Sequence, residues 1–450
     1  MIKRTWFITF LLGAALPLCA APGADWKVLS HYEKAPIKKQ LTDRLTNYVK
    51  FDTQSKPTAK APSSSGQLQF AKALAKELKK NGAIHVVVDK SALVTAEVPS
   101  NLGRPTPTIA LAAHLDTTPG LSGNNIHPQV HTLYKGGDIV LNAQKKLVLN
   151  SHNSPQLARA KGHDIITASG DTVLGADGKA GIAIILTLVQ YLYDHPQLPH
   201  GTLKIIFTPD STNGLALPAS NLAGSQADHT YTLDGGALGE LNDETFNAKS
   251  FVAVFEGDRT GPLGEALSSS FADNVLMASD FHTLLPRHKR PETTANKNGF
   301  IFVDNIVTQK NRTEVTGLLR AFSDQEMQTL VNEVTQSFHT VKNMNLKGKN
   351  FSLTFTDQYV NIQKAISPKT LQLAQEAMRA EEITPQRTAA REKTTGTQLY
   401  ASGIAAPGLF TGSYNTGSLL EYADVDVMEA AFRTVLRILS LQTLPPTAPL

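Results

Sequence analysis

PTIALAAHLD, residues 107–116, decides how this chain folds. Residues 107–113 form a short uncharged run, which reads as a strand buried on both faces. The run ends at His114 and Asp116, so polar chemistry begins where the strand gives way to a loop. Three other segments repeat the arrangement: TLKIIFT at 202–208 ahead of Pro209-Asp210, Tyr231-Thr232-Leu233 ahead of Asp234, and Leu174-Gly175-Ala176 ahead of Asp177. Open α/β sheets keep their ligands at such strand ends.

Outward from this stretch, strand patterns recur at 84–89 and 92–98. Apolar residues at helical spacing mark 37–50, 67–80 and 180–193. The segment 51–66 is a loop by its Pro, Ser and Gly content. Strands alternating with helices predict an α/β fold, a mainly parallel sheet flanked by helices. Between 251 and 361 the order changes to β-α-β-β-α-β, the split-βαβ plan of a small α+β sandwich. A helix, the apolar PGLF at 407–410 and a last helix at 427–442 then resume the first texture. The chain is therefore expected to hold a discontinuous main domain, 27–250 with 362–442, and an inserted domain, 251–361. The composition of the tail, 443–450, predicts disorder.

A length of 450 residues favours two domains, and 41% hydrophobic with 18% charged residues is the balance of a soluble globular protein. A formal charge of +4 without a dense Lys/Arg run argues against a nucleic-acid partner. Residues 1–20 have a basic start (Lys3, Arg4), an apolar stretch at 7–18 and small residues behind it. They read as a secretory signal cleaved after Ala20 or Ala21, which places the mature protein in the periplasm or outside the cell. No other apolar run is long enough to span a bilayer, so no membrane association is expected after cleavage. Cys19 is the only cysteine and leaves with the signal, removing disulfides and thiolate ligands from consideration.

His114 and Asp116 are two apart, so on a strand they share a face. A metal-bound imidazole usually donates its other N–H to a carboxylate, and Asp116 is placed for that role. Taken alone, the pair fits a structural histidine better, by about three to one, Asp177 fits a helix N-cap as well, and Asp234 is no less ambiguous. Together, His114, Asp177 and Asp234 match a three-ligand zinc site with an open position.

These segments resemble the peptidase T family, the tripeptide aminopeptidases among the di-zinc exopeptidases. The resemblance runs from Asn47-Tyr48-Val49 and Phe51-Asp52-Thr53-Gln54-Ser55-Lys56, through Gly136-Gly137-Asp138-Ile139 and Phe246-Asn247-Ala248, to Leu409-Phe410-Thr411-Gly412. It implies a zinc-exopeptidase fold whose inserted domain serves as lid and dimerisation module. It further implies short peptides or amino-acid derivatives as ligands, and a homodimer. His114, Asp177 and Asp234 fall on the family's first zinc site, Asp177 as the bridging carboxylate. Asp116 falls on the residue that orients the histidine, and Arg320, Tyr359 and Asn361 on positions near the substrate.

Other family positions are altered. The family's Pro-Asp-Glu-Glu reads Pro209-Asp210-Ser211-Thr212, which removes the general base and one ligand of the second zinc. That zinc's histidine falls on Leu420, and the inserted domain's His-Pro-Gly on Gly261-Pro262. The family's Arg-Gly-Gly-Thr-Asp-Gly reads Arg391-Glu392-Lys393-Thr394-Thr395-Gly396, so its aspartate is lost. A positioned general base is worth about 10²–10⁴ in rate. The expectation is at most one tightly bound zinc and weak or absent aminopeptidase activity. Asp210 is a candidate substitute base, although adjacent strand residues point oppositely. The alternatives are a working single-zinc hydrolase, using Asp210 or a substrate group as base, and a non-catalytic partner-binding protein.

Overall fold

The structure is a computed structural model that describes residues 32–56, 60–215, 217, 219–257, 273–345 and 350–443. The expected signal, Cys19, Gly261-Pro262 and nearly all of the tail lie outside the described residues. Along the chain come α1 (Lys34–Tyr48), α2 (Ser65–Lys80), β1 (Ile84–Val88), β2 (Val94–Val98) and β3 (Ile109–His114). They are followed by α3 (Lys179–Asp194), β4 (Leu203–Thr208), β5 (His229–Gly235) and β6 (Glu240–Thr245). The next run is β7 (Asn247–Glu256), α4 (Asn274–Leu284), β8 (Phe300–Gln309), β9 (Arg312–Ala321), α5 (Asp324–Met344) and β10 (Asn350–Tyr359). The chain closes with α6 (Pro368–Ala380), β11 (Gln386–Ala390), α7 (Thr395–Tyr400), β12 (Gly408–Phe410) and α8 (Val425–Leu441).

The larger sheet has the order β1-β2-β4-β3-β5-β12-β6-β11. Its centre, β4-β3-β5-β12, is parallel throughout. The β1–β2, β2–β4 and β12–β6 pairs run antiparallel. Every residue of β3 is buried, and the alternation of its side chains explains why. Ile109, Leu111 and Ala113 enter one apolar cluster with α1, α3, α6 and α8. Ala110 and Ala112 enter a second, with Ile206 of β4 and Leu399 of α7. Successive strand residues point to opposite faces, so a strand covered on both sides must be apolar at every position. The sequence run at 107–113 has that property, and the fold is the α/β architecture it predicted.

The second sheet, β8-β9-β7-β10, is antiparallel at every pair. One face is packed by α4 and α5 around Phe251, Phe255, Phe281, Leu330 and Phe338. The strand that opens it starts at Asn247 rather than 251, because its ladder with β9 already begins at the Asn247–Ala321 pair. Another difference lies at 92–98, where the strand starts only at Val94. There the Asp89 carboxylate accepts bonds from the N–H groups of Ser91 (2.8 Å) and Leu93 (3.0 Å), and Ala92 adopts a φ of 70°. A turn thus takes the first two residues of the expected strand.

Candidate metal centre and the cleft around it

His114 is the last residue of β3, Asp234 stands near the end of β5, and Asp177 lies in the loop that enters α3. Parallel neighbours end at the same edge of a sheet, so the first two are adjacent by construction. Asp177 is brought over them by the turn before the helix. It is not the helix cap: Gly178 holds that position, with a φ of 71°. A Cβ on Gly178 would run into the His114 carbonyl and come within 2.7 Å of two ring carbons. Only glycine allows this approach and this backbone conformation.

The geometry is that of a cation site. His114 Nε2 lies 3.4 Å from Asp177 Oδ1 and 3.3 Å from Asp234 Oδ1, and the three ligand atoms are mutually within 4.8 Å. Tetrahedral ligands at 2.0–2.2 Å from a zinc ion stand roughly 3.4 Å apart, so the spacing suits such an ion. The other ring nitrogen, Nδ1, lies 3.0 Å from the Asp116 carbonyl and 3.3 Å from its Oδ1. That arrangement leaves Nε2 free for a metal. Burial opposes a charge on His114, but the Asp177 charge and bonds from Asp116, Asp177 and Asp234 outweigh it and hold the imidazole well above its usual pKa. A site that favours a proton in this position favours a divalent cation more.

The backbone around the ligands is itself braced. Glu421, fully buried, accepts bonds from the N–H groups of Gly175 (2.9 Å) and Asp177 (3.1 Å). Burial pushes its carboxyl up to about 7, against the pull of those amides. Lys179, also fully buried, donates to the Phe51 carbonyl and to Thr117 Oγ1, and burial brings its ammonium down to about 8. The N–H of Thr395, at the start of α7, donates to Asp234 Oδ2 at 2.8 Å.

The comparisons with known proteins decide the family. The chain is 36% identical over 409 residues to peptidase T of Clostridium botulinum (strain Loch Maree / Type A3), covering 90% of this chain and 99% of that protein. It is equally similar to peptidase T of Geobacillus thermodenitrificans over 408 residues, covering 90% and 98%. The chain belongs to the peptidase T family.

No family model matches the chain. Among solved structures, the fold matches a tripeptidase from Staphylococcus aureus (TM-score 0.68, 18% identity, 90% of this chain and 98% of that one). It also matches aminopeptidase PepT from Bacillus cereus (0.67, 19%, 89% and 98%). A dinuclear metal-binding M20 peptidase from Bacillus subtilis follows at 0.58 and 12%, covering 91% and 99%.

Within this peptidase T fold the residues at 116, 210–212 and 420 have definite environments. Asp116 is fully buried and accepts bonds from the N–H groups of Ser211 and Thr212, each at 3.0 Å, and from the Thr212 hydroxyl. The Ser211 hydroxyl lies 3.3 Å from that of Thr395, so two neutral groups now pair across the cleft. Leu420 is half-buried against the apolar cluster of Tyr134, Ile139, Leu141 and Tyr422. Asp210 corrects the sequence reading. Its carboxylate, in a residue with a φ of 51°, is taken up by the N–H and hydroxyl of Ser63 and by Gln67 Nε2. It is fully buried and is not among the residues that wall the cleft, which speaks against its use as the base.

Asn361 has backbone partners in this structure. Its side chain accepts from Thr245 and Gln363 N–H and donates to the Phe322 carbonyl, fastening the point where the inserted segment ends. Its amide is thus taken up by backbone. Arg320 lies over the Tyr359 ring at 5.2 Å and bonds the Leu319 carbonyl and Gln358 Oε1.

The cleft has a volume of about 450 Å³ and is walled by His114, Asp177, Asp234, Ser211, Glu392 and Lys393, among others. The last two escaped the sequence reading, because a charged pair in a loop usually marks a solvated surface. Glu392 keeps contact with solvent through the cleft, yet protein crowds it on most sides. That burial, then the Asp177 and Asp234 carboxylates, push its carboxyl up to about 7. Burial lowers Lys393 to about 8, with Asp116 opposing and Arg320 adding to the effect. A Cβ on Gly214 would overlap Lys393 Nζ, so the ammonium rests on the turn that carries Ser211 and Thr212.

Proposed function

We propose that this protein is a secreted peptidase T-type protein that binds short peptides in a cleft with a single zinc ion and hydrolyses them weakly or not at all. One observation carries the reading: the turn at 209–214 presents no carboxylate to the cleft, since Asp210 is bonded to Ser63 and Gln67. His114, Asp177 and Asp234 supply one complete ligand set. At the expected second position a hydroxyl already bonded to Asp116 and a hydrocarbon side chain stand where two ligands are needed, which leaves Asp177 and the unpaired Glu392 as carboxylates for it within the cleft. On this reading the two do not make a tight second site. When bound, the first ion supplies a Lewis acid; the chain's own part is to orient His114 through Asp116 and to hold Asp234 through Thr395.

The experiment is zinc analysis of dialysed protein beside a tripeptide assay. At most one zinc per chain, with turnover below a working peptidase T by at least about 10²–10⁴, supports the reading. Two retained zinc ions, or ordinary turnover, would sink it. A working single-zinc hydrolase is the second reading, favoured by the free Glu392 carboxylate at the cleft; turnover with one zinc that is lost in Glu392→Gln would select it. Secretion is proposed from Lys3, Arg4 and the apolar run at 7–18. Self-association is proposed from the edge strand β8, which exposes Phe302, Ile306 and Val307. Among the described residues no helix is long and apolar enough to cross a membrane.

A further inference from the structure

Two charged side chains on the cleft wall, and Tyr359 and Arg320 beside it, leave polar atoms or charges uncompensated among the described residues. Neither Glu392 nor Lys393 forms a hydrogen bond or ion pair with any described residue, nor with each other. The Tyr359 hydroxyl is buried and has no hydrogen-bond partner. Arg320, which interacts electrostatically with both Lys393 and Tyr359, bonds only neutral oxygens, those of Leu319 and Gln358.

The backbone that carries the two charges is nevertheless fixed on both sides. The Arg391 guanidinium donates to the carbonyls of Asn296 (2.8 Å) and Asn298 (2.9 Å) and to Thr294 Oγ1 (3.0 Å). It also lies over the rings of Phe246 and Phe300. On the other side Thr394 caps α7, and Thr395 N–H holds Asp234. A rigid segment therefore delivers two unneutralised side chains of opposite sign. Glu392 faces the Asp177–Asp234 side, and Lys393 lies against the 211–214 turn near Arg320. Lys393 is part-buried, so its unpaired ammonium is costly unless a ligand completes it, whereas Glu392 is exposed at the cleft and offers its carboxylate to whatever enters.

We propose that Glu392 and Lys393 make this cleft selective for ligands with both a free amino group and a free carboxylate, Glu392 binding the ammonium and Lys393, beside Arg320, the carboxylate. The ligand class is a short peptide or amino acid with unblocked termini. Charge-assisted hydrogen bonds are the strong ones, and a ligand lacking one leaves a protein charge unpaired. The assignment rests on the short-peptide reading above and states which atoms of the peptide are read.

Titration calorimetry on the mature protein with four peptides tests it: triglycine, N-acetyl-triglycine, triglycine amide and the doubly blocked form. Mass spectrometry confirms that each peptide is intact afterwards. Blocking either end is expected to weaken binding about tenfold or more. In Glu392→Gln the acetyl penalty should vanish while the amide penalty persists; in Lys393→Met the pattern should reverse. Equal binding of all four peptides to the wild type overturns the assignment and keeps the short-peptide reading. Absence of binding by any of them overturns both. Variants that weaken all four peptides alike overturn the assignment as well. If a variant does not fold, as judged by its melting curve, the wild-type series alone still decides the charge requirement.

Discussion

Thr212 is held within the cleft by several bonds at once. Its N–H and hydroxyl both bind Asp116, and its hydroxyl also contacts Ser55 Oγ at 2.8 Å. A glutamate put back at Ser211 alone would meet the Lys393 ammonium lying on the same turn. Ser211→Glu is therefore expected to change tripeptide turnover by less than the ~10²–10⁴ of a working base. Ser211→Glu with Thr212→Glu and Leu420→His should raise bound zinc towards two per chain, and adding Lys393→Gly should then raise turnover beyond the sum of the separate changes. Zinc analysis and a tripeptide assay read the two steps separately; full recovery by the single change would refute the account. At this scale the His114, Asp177 and Asp234 set was legible, because His114 and Asp234 follow runs that read as buried strands and Asp177 stands just before a long apolar helix. The run ahead of Asp177 is a loop and not the strand it resembled. Glu392, Lys393 and Glu421 were not, since nothing local separates a carboxylate facing a cleft from one facing water.

The entry to α3 and the start of α8 make two predictions of their own. Gly178→Ala imposes a left-handed backbone strain of about 1–2 kcal/mol and drives a methyl into the His114 ring. Zinc uptake should fall more than the melting temperature does; unchanged metal affinity would show that the close approach is not needed. At α8, Asp424 accepts from Asp426 and Val427 N–H and also pairs with His163 Nδ1 at 2.7 Å. The Asp424 bond raises the His163 pKa, against desolvation. A raised histidine pKa contributes stability that is fully present below the unfolded value of about 6.5 and is lost as pH rises through the folded value. His163 is about a third exposed, so the contribution stays under roughly 1 kcal/mol. His163→Gln should thus lower stability in mildly acidic buffer and have little effect at alkaline pH, as denaturant titration at each pH would read. The long elements were legible in the sequence because their periodicity extends over many residues. The short strands at Gln129–His131, Ile165–Thr167 and Tyr422–Asp424 were not, since three residues carry no period.

For the whole molecule, the apolar cluster between α4, α5 and the second sheet is separate from those on the two faces of the larger sheet. The expected order of strands and helices was legible around both sheets, whereas the mixed directions of the larger sheet's edges depend on which neighbours pair. Export should leave a mature chain beginning within a few residues of Ala20. N-terminal sequencing of the periplasmic or culture fraction would check this, and retention of Met1 in a cytoplasmic pool would refute it. The Arg391 contacts bear on the whole molecule in another way. This side chain precedes Glu392 in sequence, yet its bonds go to Thr294, Asn296 and Asn298, which lead into β8. One residue thus latches the second lobe to the floor of the cleft. Swinging that lobe away requires several hydrogen bonds and two aromatic contacts to break together.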